Sequence, residues 1–239
     1  ILKKIKFNES ENRMADVGAI EKVIKNFEKD KNKNLHFLLN KRFSWMNDFI
    51  KDTETGLEVG AGAGLSKKFI LNKNLKTSDF SEHQHLDFKN VDAQKTKFGE
   101  NSFDYIIASN MIHHIPYPIK FFYETHRILK KGGKLIVFDA YCSIVLQIVV
   151  ILMKHEGFDF TVNPWSDDKP VTDENNVWAG NIAVTNMIFD NTDVFQKKVG
   201  HLYKIEYEKI CECLIFLNSG GVHSTTKYVP LNLKMLKII

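Results

Sequence analysis

The chain has 239 residues, 44% hydrophobic and 26% charged, with 13 Gly and 5 Pro, a globular composition that excludes a disordered, fibrous or low-complexity protein. Lys and Arg exceed Asp and Glu by 33 to 29, with 12 basic against 7 acidic side chains in residues 1–51; this mildly basic arm lacks the clustered excess of a nucleic-acid binder. Three cysteines, Cys142, Cys211 and Cys213, are too few for a disulfide framework, and Cys-x-Cys without a second pair is a poor zinc signature, so reduced thiols in a cytoplasmic protein are expected.

Apolar residues recur at helical spacing from Val17, Ile20, Val23, Ile24 and Phe27 to Leu35, Leu38, Leu39, Phe43 and Met46, predicting two helices joined by the polar stretch 28–34. From Thr55 the pattern changes to short apolar runs (56–59, 75–79, 103–108, 135–139) alternating with helical stretches at 65–71 and 118–130. Strand–helix alternation predicts βαβ units, and nearly continuous apolar strands predict a sheet covered on both faces. The expected fold is therefore α/β, a Rossmann-like, doubly wound, mostly parallel sheet with N-terminal helices and a helical lid insert.

Residues 144–153 form an apolar stretch read as helix from its length and its place after a strand. Asp139, Ser143 and Gln147 interrupt the wider run 135–153, which argues against a membrane span. A polar loop with Asn163-Pro164-Trp165 and a second apolar stretch at 182–189 follow; residues 202–217 read as a strand or hairpin before Ser219-Gly220-Gly221 and a terminal helix. The expected organisation is N-terminal helices 1–54, a ligand-binding core 55–142, an insert 143–198 over the sheet edge, and a completing segment 199–239.

Chemistry concentrates at strand ends. Leu57-Glu58-Val59 runs into Gly60-Ala61-Gly62-Ala63-Gly64, where glycines let the backbone turn sharply and approach a ligand at the carboxyl end of the first strand. The tighter Gly-x-Gly-x-Gly, preceded by Glu58, points away from a dinucleotide and toward a ligand without a pyrophosphate. About twenty residues on, Asp79 ends the second strand, a place where a carboxylate can accept from both hydroxyls of a ribose; a turn or N-cap role is the alternative. Asp92, in Val91-Asp92-Ala93, could meet an adenine amino group. The fourth segment, 103–114, leaves its strand through Ser109 and Asn110 to His113-His114. Glu82, His83 and His85 read as a solvated loop rather than metal ligands, and no metal site is expected.

These pieces, together with Asn101-Ser102-Phe103-Asp104 and Arg127-Ile128-Leu129-Lys130-Lys131-Gly132-Gly133, occur in order over residues 56–139, and that segment closely resembles the class I S-adenosylmethionine-dependent methyltransferases. The resemblance implies that S-adenosylmethionine is the cofactor and S-adenosylhomocysteine the product. Glu58, Gly60, Ala61 and Gly62 would meet the cofactor's methionine end, Asp79 the ribose, Asp92 and Ala93 the adenine with Phe80 stacked on it, and Ser109 and Asn110 the methionyl side. His113 or His114 would emerge near the methyl donor as a general base. Only twelve residues separate Asp79 from Asp92, so the helix usual between them is expected to be shortened or lost. His155-Glu156, Asn163-Pro164-Trp165 and Gly180-Asn181 are similar to motifs of methyltransferases that act on surface polysaccharides and sugars.

The implied function is methyl transfer to a small-molecule acceptor, a sugar hydroxyl first, with no nucleic-acid partner and no stable membrane insertion. A lipid- or quinone-like acceptor and a non-catalytic cofactor-binding module are the alternatives.

Overall fold

The structure is a computed structural model that describes residues 6–7, 17–29, 33–153 and 156–211. The readings made above for 212–239, and for His155, lie outside these residues.

A four-stranded sheet carries the fold. Strands β2 (Gly56–Val59), β3 (Leu75–Thr77), β4 (Phe103–Ser109) and β5 (Leu129–Phe138) pair in the order β3-β2-β4-β5, all parallel. The chain runs from β2 outward to β3 and returns to β4 on the other side of β2. The order therefore reverses between β2 and β4, and the carboxyl ends of those strands flank the crevice where open α/β sheets bind ligands. A separate antiparallel pair joins β1 (Lys6–Phe7) to β6 (Phe158–Asp159).

Alternation along β4 shows why both faces must be covered. Tyr105 and Ile107 pack on one side with Leu35, Leu38, Leu39 and Phe43 of α2 (Lys33–Phe43) and with Met46 of the 3-10 turn Ser44–Phe49. Ile106 and Ala108 pack on the other with Ile119 and Phe122 of α3 (Pro118–Ile128). All four strand side chains are fully buried. The same face takes Val184 and Ile188 of α5 (Ala183–Phe189) and Phe195 and Val199 of α6 (Thr192–Val199). The second half of segment 143–198 thus supplies a helical layer to the main core.

The first half is different. Helix α4 (Ile144–Met153) packs Val150 into a small cluster with Cys142, Phe158, Ile182 and Ala183 while Ile144, Val145, Ile148 and Leu152 face outward. Among the described residues no helix is long and apolar enough to cross a membrane. The N-terminal region forms helix α1 (Val17–Glu28) and α2, as the spacing predicts.

Both crossovers before β4 are reduced. The helix expected at 65–71 is one 3-10 turn, Leu65–Lys68, and residues 78–102 hold no helix. In place of a strand near 88–91 there is an isolated parallel bridge, Ser78 with Phe88, extended by Val91 N donating to Asp79 O at 2.9 Å. This stretch is anchored to α3 through the buried Glu124, whose carboxylate accepts from Thr96 N at 2.8 Å, from Thr96 Oγ1 and from Arg127 Nε at 2.9 Å. No strand is present over 202–211; Leu202, Tyr203 and Ile205 pack on the core without regular structure.

Candidate active site

The glycine loop after β2 is built from left-handed backbone. Gly60, Gly62 and Gly64 have φ of 65°, 49° and 63°, a region that costs an L-residue about 1–2 kcal/mol. A Cβ on Gly60 would also stand 2.9 Å from Met111 Cβ. The loop is held by Ala61 N donating to Ser78 O at 2.9 Å and Gly62 N donating to Asp79 Oδ2 at 2.9 Å. Ser78 completes the clasp, its N and Oγ both donating to Glu58 O at 2.8 and 2.9 Å. Glu82 and His85 are exposed, as the solvated-loop reading has them, and His85 Nε2 also donates to Gly62 O at 2.9 Å, while His83 beside it is buried.

Asp79 has one amide on each oxygen, Gly62 N on Oδ2 and Ser81 N on Oδ1, both at 2.9 Å. A carboxylate offers about four lone-pair sites, so acceptor capacity remains on both oxygens. Phe80 next to it leaves 55% of its surface exposed. Glu58 is the opposite case, 2% exposed with Ser66 Oγ donating to it. Burial pushes its carboxyl up to about 8; the Asp79 charge adds to this, and Ser66 and Lys67 oppose it. Asp92 Oδ1 accepts from Gln94 N at 2.8 Å, and Gln94 Oε1 accepts from Tyr117 N at 2.9 Å, which ties the Asp92–Ala93 turn to the start of α3.

The ends of β4 and β5 come together because Ser109 pairs with Phe138 in register, placing Asn110 beside Asp139. Asn110 has φ of 51° and donates its N to Phe138 O at 2.7 Å. The chain then enters the 3-10 turn Ile112–His114. Asp139, whose side chain is fully buried, accepts from Ile112 N at 2.8 Å, from Ala140 N at 2.7 Å and from His113 Nδ1. On the other side, Glu156 Oε2 lies 3.5 Å from His113 Nε2 and Oε1 lies 3.9 Å from His114 Nε2. Burial works to lower the His113 pKa, but the Asp139 and Glu156 carboxylates overcome it and push the ring up to about 10. Burial and the neighbouring His113 charge hold His114 down at about 4. His114 Nδ1 donates to Ala179 O at 3.2 Å.

One cleft of about 1920 Å³ is lined by all twelve residues singled out from the sequence, Glu58, Gly60, Ala61, Gly62, Asp79, Phe80, Asp92, Ala93, Ser109, Asn110, His113 and His114. That exceeds the 300–1,000 Å³ usual for one small ligand. Its far wall is apolar, formed by Val145, Leu146, Val149 and Val150 of α4. Sequence reasoning missed Asp139, Glu156 and His85. A signal existed for Asp139, a carboxylate just past the end of a strand parallel to the one that exits into the histidines; Glu156 stood only in the His155-Glu156 resemblance, with no role attached, and His85 only in a loop read as solvated.

Residues 57–137 match the family model described as a methyltransferase domain. No curated protein matches the chain. Among solved structures, a protein of Pyrococcus horikoshii is 22% identical over 47% of this chain and 59% of its own, with a TM-score of 0.37. A SAM-dependent methyltransferase of Thermotoga maritima is 23% identical over 50% and 59%, TM-score 0.36. The trans-methyltransferase CalH, solved with SAH, is 20% identical over 48% and 41%, TM-score 0.32. The chain spans about half the length of these relatives, and the weight falls on the family segment, which runs from β2 to the end of β5.

Proposed function

We propose, from the premise that residues 57–137 are a class I S-adenosylmethionine-dependent methyltransferase domain, that the protein methylates a hydroxyl of a small-molecule acceptor, a sugar-like hydroxyl being the first class to try. The residues of the cleft fit the cofactor. Left-handed Gly60 and Gly62 line the cleft and leave backbone open to approach at Gly62, Asp79 keeps acceptor capacity for ribose hydroxyls, and the exposed Phe80 ring offers a stacking face for a base. Buried Glu58, hydrogen-bonded by Ser66, suits the positively charged end of the cofactor. When bound, S-adenosylmethionine supplies an electrophilic methyl group on a sulfonium.

The observation that carries the acceptor reading is the imidazole pair on the same cleft. His113 is oriented by Asp139 through Nδ1, and His114 gives its Nδ1 proton to a carbonyl that can only accept. His114, held neutral, therefore presents Nε2 as an electron-pair donor, so the proton of a hydroxyl acceptor has a place to go, while His113, charged between Asp139 and Glu156, can do so only after giving up its own Nε2 proton. Holding the acceptor against the cofactor in a fixed orientation contributes several kcal/mol, about 7–11 in the best intramolecular cases. Base assistance adds roughly 10²- to 10⁴-fold.

The test is methyl transfer to a panel of hydroxyl acceptors, beginning with nucleotide sugars, by the wild type and by His113→Ala and His114→Ala. Turnover should fall in at least one variant with cofactor affinity intact; unchanged turnover in both removes the histidines from the chemistry. A second reading, an acceptor with an apolar tail, is favoured by the α4 wall of the cleft and by the outward Ile144, Val145, Ile148 and Leu152. Partition of the protein onto phosphatidylcholine vesicles separates the two.

A further inference from the structure

His113, His114 and Glu156 each offer one ligand atom, and the three atoms lie within 4.8 Å of one another. The two distances from Glu156 are 3.5 and 3.9 Å. Nitrogen and oxygen ligands at about 2.0–2.1 Å from a tetrahedral zinc stand roughly 3.3–3.4 Å apart. Side-chain movements of about 1.5 Å at most would bring all three into that spacing.

Their outer partners are those of metal-binding imidazoles, which give their second ring N–H to a carboxylate or a backbone carbonyl. His113 Nδ1 donates to Asp139, itself fixed by Ile112 N and Ala140 N. His114 Nδ1 donates to Ala179 O at 3.2 Å. Gly180 closes the back of the pair, since a Cβ there would stand 3.1 Å from His114 Cε1 and 3.3 Å from His113 Cδ2. Asn181 N secures the turn by donating to His113 O at 2.8 Å. With both Nδ1 atoms protonated, two imidazole lone pairs and a carboxylate converge on one point. Either a proton or a metal ion can bridge the three.

We infer that His113 Nε2, His114 Nε2 and Glu156 form a site for one divalent transition-metal ion of the zinc class. Two imidazoles and a carboxylate suit such an ion and leave its remaining position facing the cleft. Resting on the methyl-transfer reading, the ion's role is to hold the acceptor oxygen at that one position and make its hydroxyl more acidic. His114 cannot serve as ligand and free base at once, and metal binding decides between them.

The experiment uses the full chain, stripped with a chelator and titrated with Co²⁺ by visible absorption and with Zn²⁺ by calorimetry, S-adenosylhomocysteine being titrated in parallel. One ion per chain is expected, at micromolar Kd or tighter, with Co²⁺ bands abolished by Zn²⁺. Glu156→Gln changes a side chain outside helix and strand, and His114→Gln leaves the His113–Asp139 pair intact. Each should weaken the ion at least tenfold while S-adenosylhomocysteine still binds. Absence of metal binding by the folded wild type overturns the site, as does binding that survives both substitutions. Metal binding without S-adenosylhomocysteine binding leaves the metal site standing and removes the methyltransferase reading.

Discussion

Replacing Asp79 separates the two tasks this carboxylate is given. In the protein alone it anchors the glycine loop and the following turn by accepting from Gly62 N and Ser81 N, both at 2.9 Å; toward the cofactor it would accept from two ribose hydroxyls. Hydrogen bonds to a charged group are worth about 1.5–3 kcal/mol each, and Asp79 is half-buried, which argues for the lower end. Two such bonds give about 3 kcal/mol, roughly a hundredfold in Kd. The lost loop anchors are bonds to the same charged group and cost about 1.5 kcal/mol each at that lower end, a fall in Tm of roughly 6–12 °C for a chain of this size. Calorimetric titration of S-adenosylhomocysteine into wild type, Asp79→Asn and Asp79→Ala, with melts on the same samples, reads both numbers. Asp79→Asn keeps one carbonyl oxygen and should fall between the others in affinity. A folded Asp79→Ala that binds within about threefold of wild type would refute the ribose role.

Glu58 gives a pH test. Its folded pKa of about 8 lies above the ordinary 4.5, so a cationic ligand that needs the carboxylate must displace a proton. Affinity for S-adenosylmethionine should rise up to tenfold per unit from pH 6 to 8 and then level, and a flat profile that Glu58→Gln shares would count against the contact. By linkage, the native state holds this proton more tightly than the unfolded chain, so its stabilisation is complete below pH 4.5 and lost as pH rises through 8; Glu58→Gln should gain on wild type over that window in denaturant titrations. Gly60→Ala should lower stability by about 1–2 kcal/mol from its left-handed φ alone, and more from the Met111 contact; an unchanged melting curve would mean the loop is built otherwise. Glu124→Ala strands Thr96 N, while the part-exposed Arg127 keeps Phe98 O, and should cost about 1–3 kcal/mol, with a Tm shift under about 1 °C as the contrary result.

Most of the frame was legible because local chemistry dictates it. Three alternating glycines after an apolar run predict a sharp turn of the backbone, and the structure makes it with left-handed φ at all three; nearly continuous apolar strands predict a sheet buried on both sides. The twelve-residue spacing from Asp79 to Asp92 predicts the loss of a helix, and the chain there has none. What escaped depends on long-range placement. Asp139 lies 26 residues from His113 and meets it only because β5 aligns beside β4. Glu156 reaches the same rings from a loop that no periodicity locates. The apolar stretch 182–189 shows that something is buried, but only the folded chain assigns Val184 and Ile188 to the main sheet instead of an edge cover.

The layering of the sheet has a consequence for anyone who cuts this gene. The segment shared with other proteins, 57–137, keeps α3 but leaves out the rest of the sheet's coverings: Leu35, Leu38 and Leu39 come before it, and Val184, Ile188, Phe195 and Val199 come after it. At about 1.5–3 kcal/mol for each large apolar side chain uncovered, losing these seven costs about 10–20 kcal/mol, on the scale of the whole 5–15 kcal/mol by which domains are stable. The unit recognised by descent is thus smaller than the unit that can hold a shape, and an expression boundary set from the former would yield insoluble strands. A fragment spanning 33–211 retains both coverings, the histidine-facing Glu156, and Leu202, Tyr203 and Ile205, which also pack on the core.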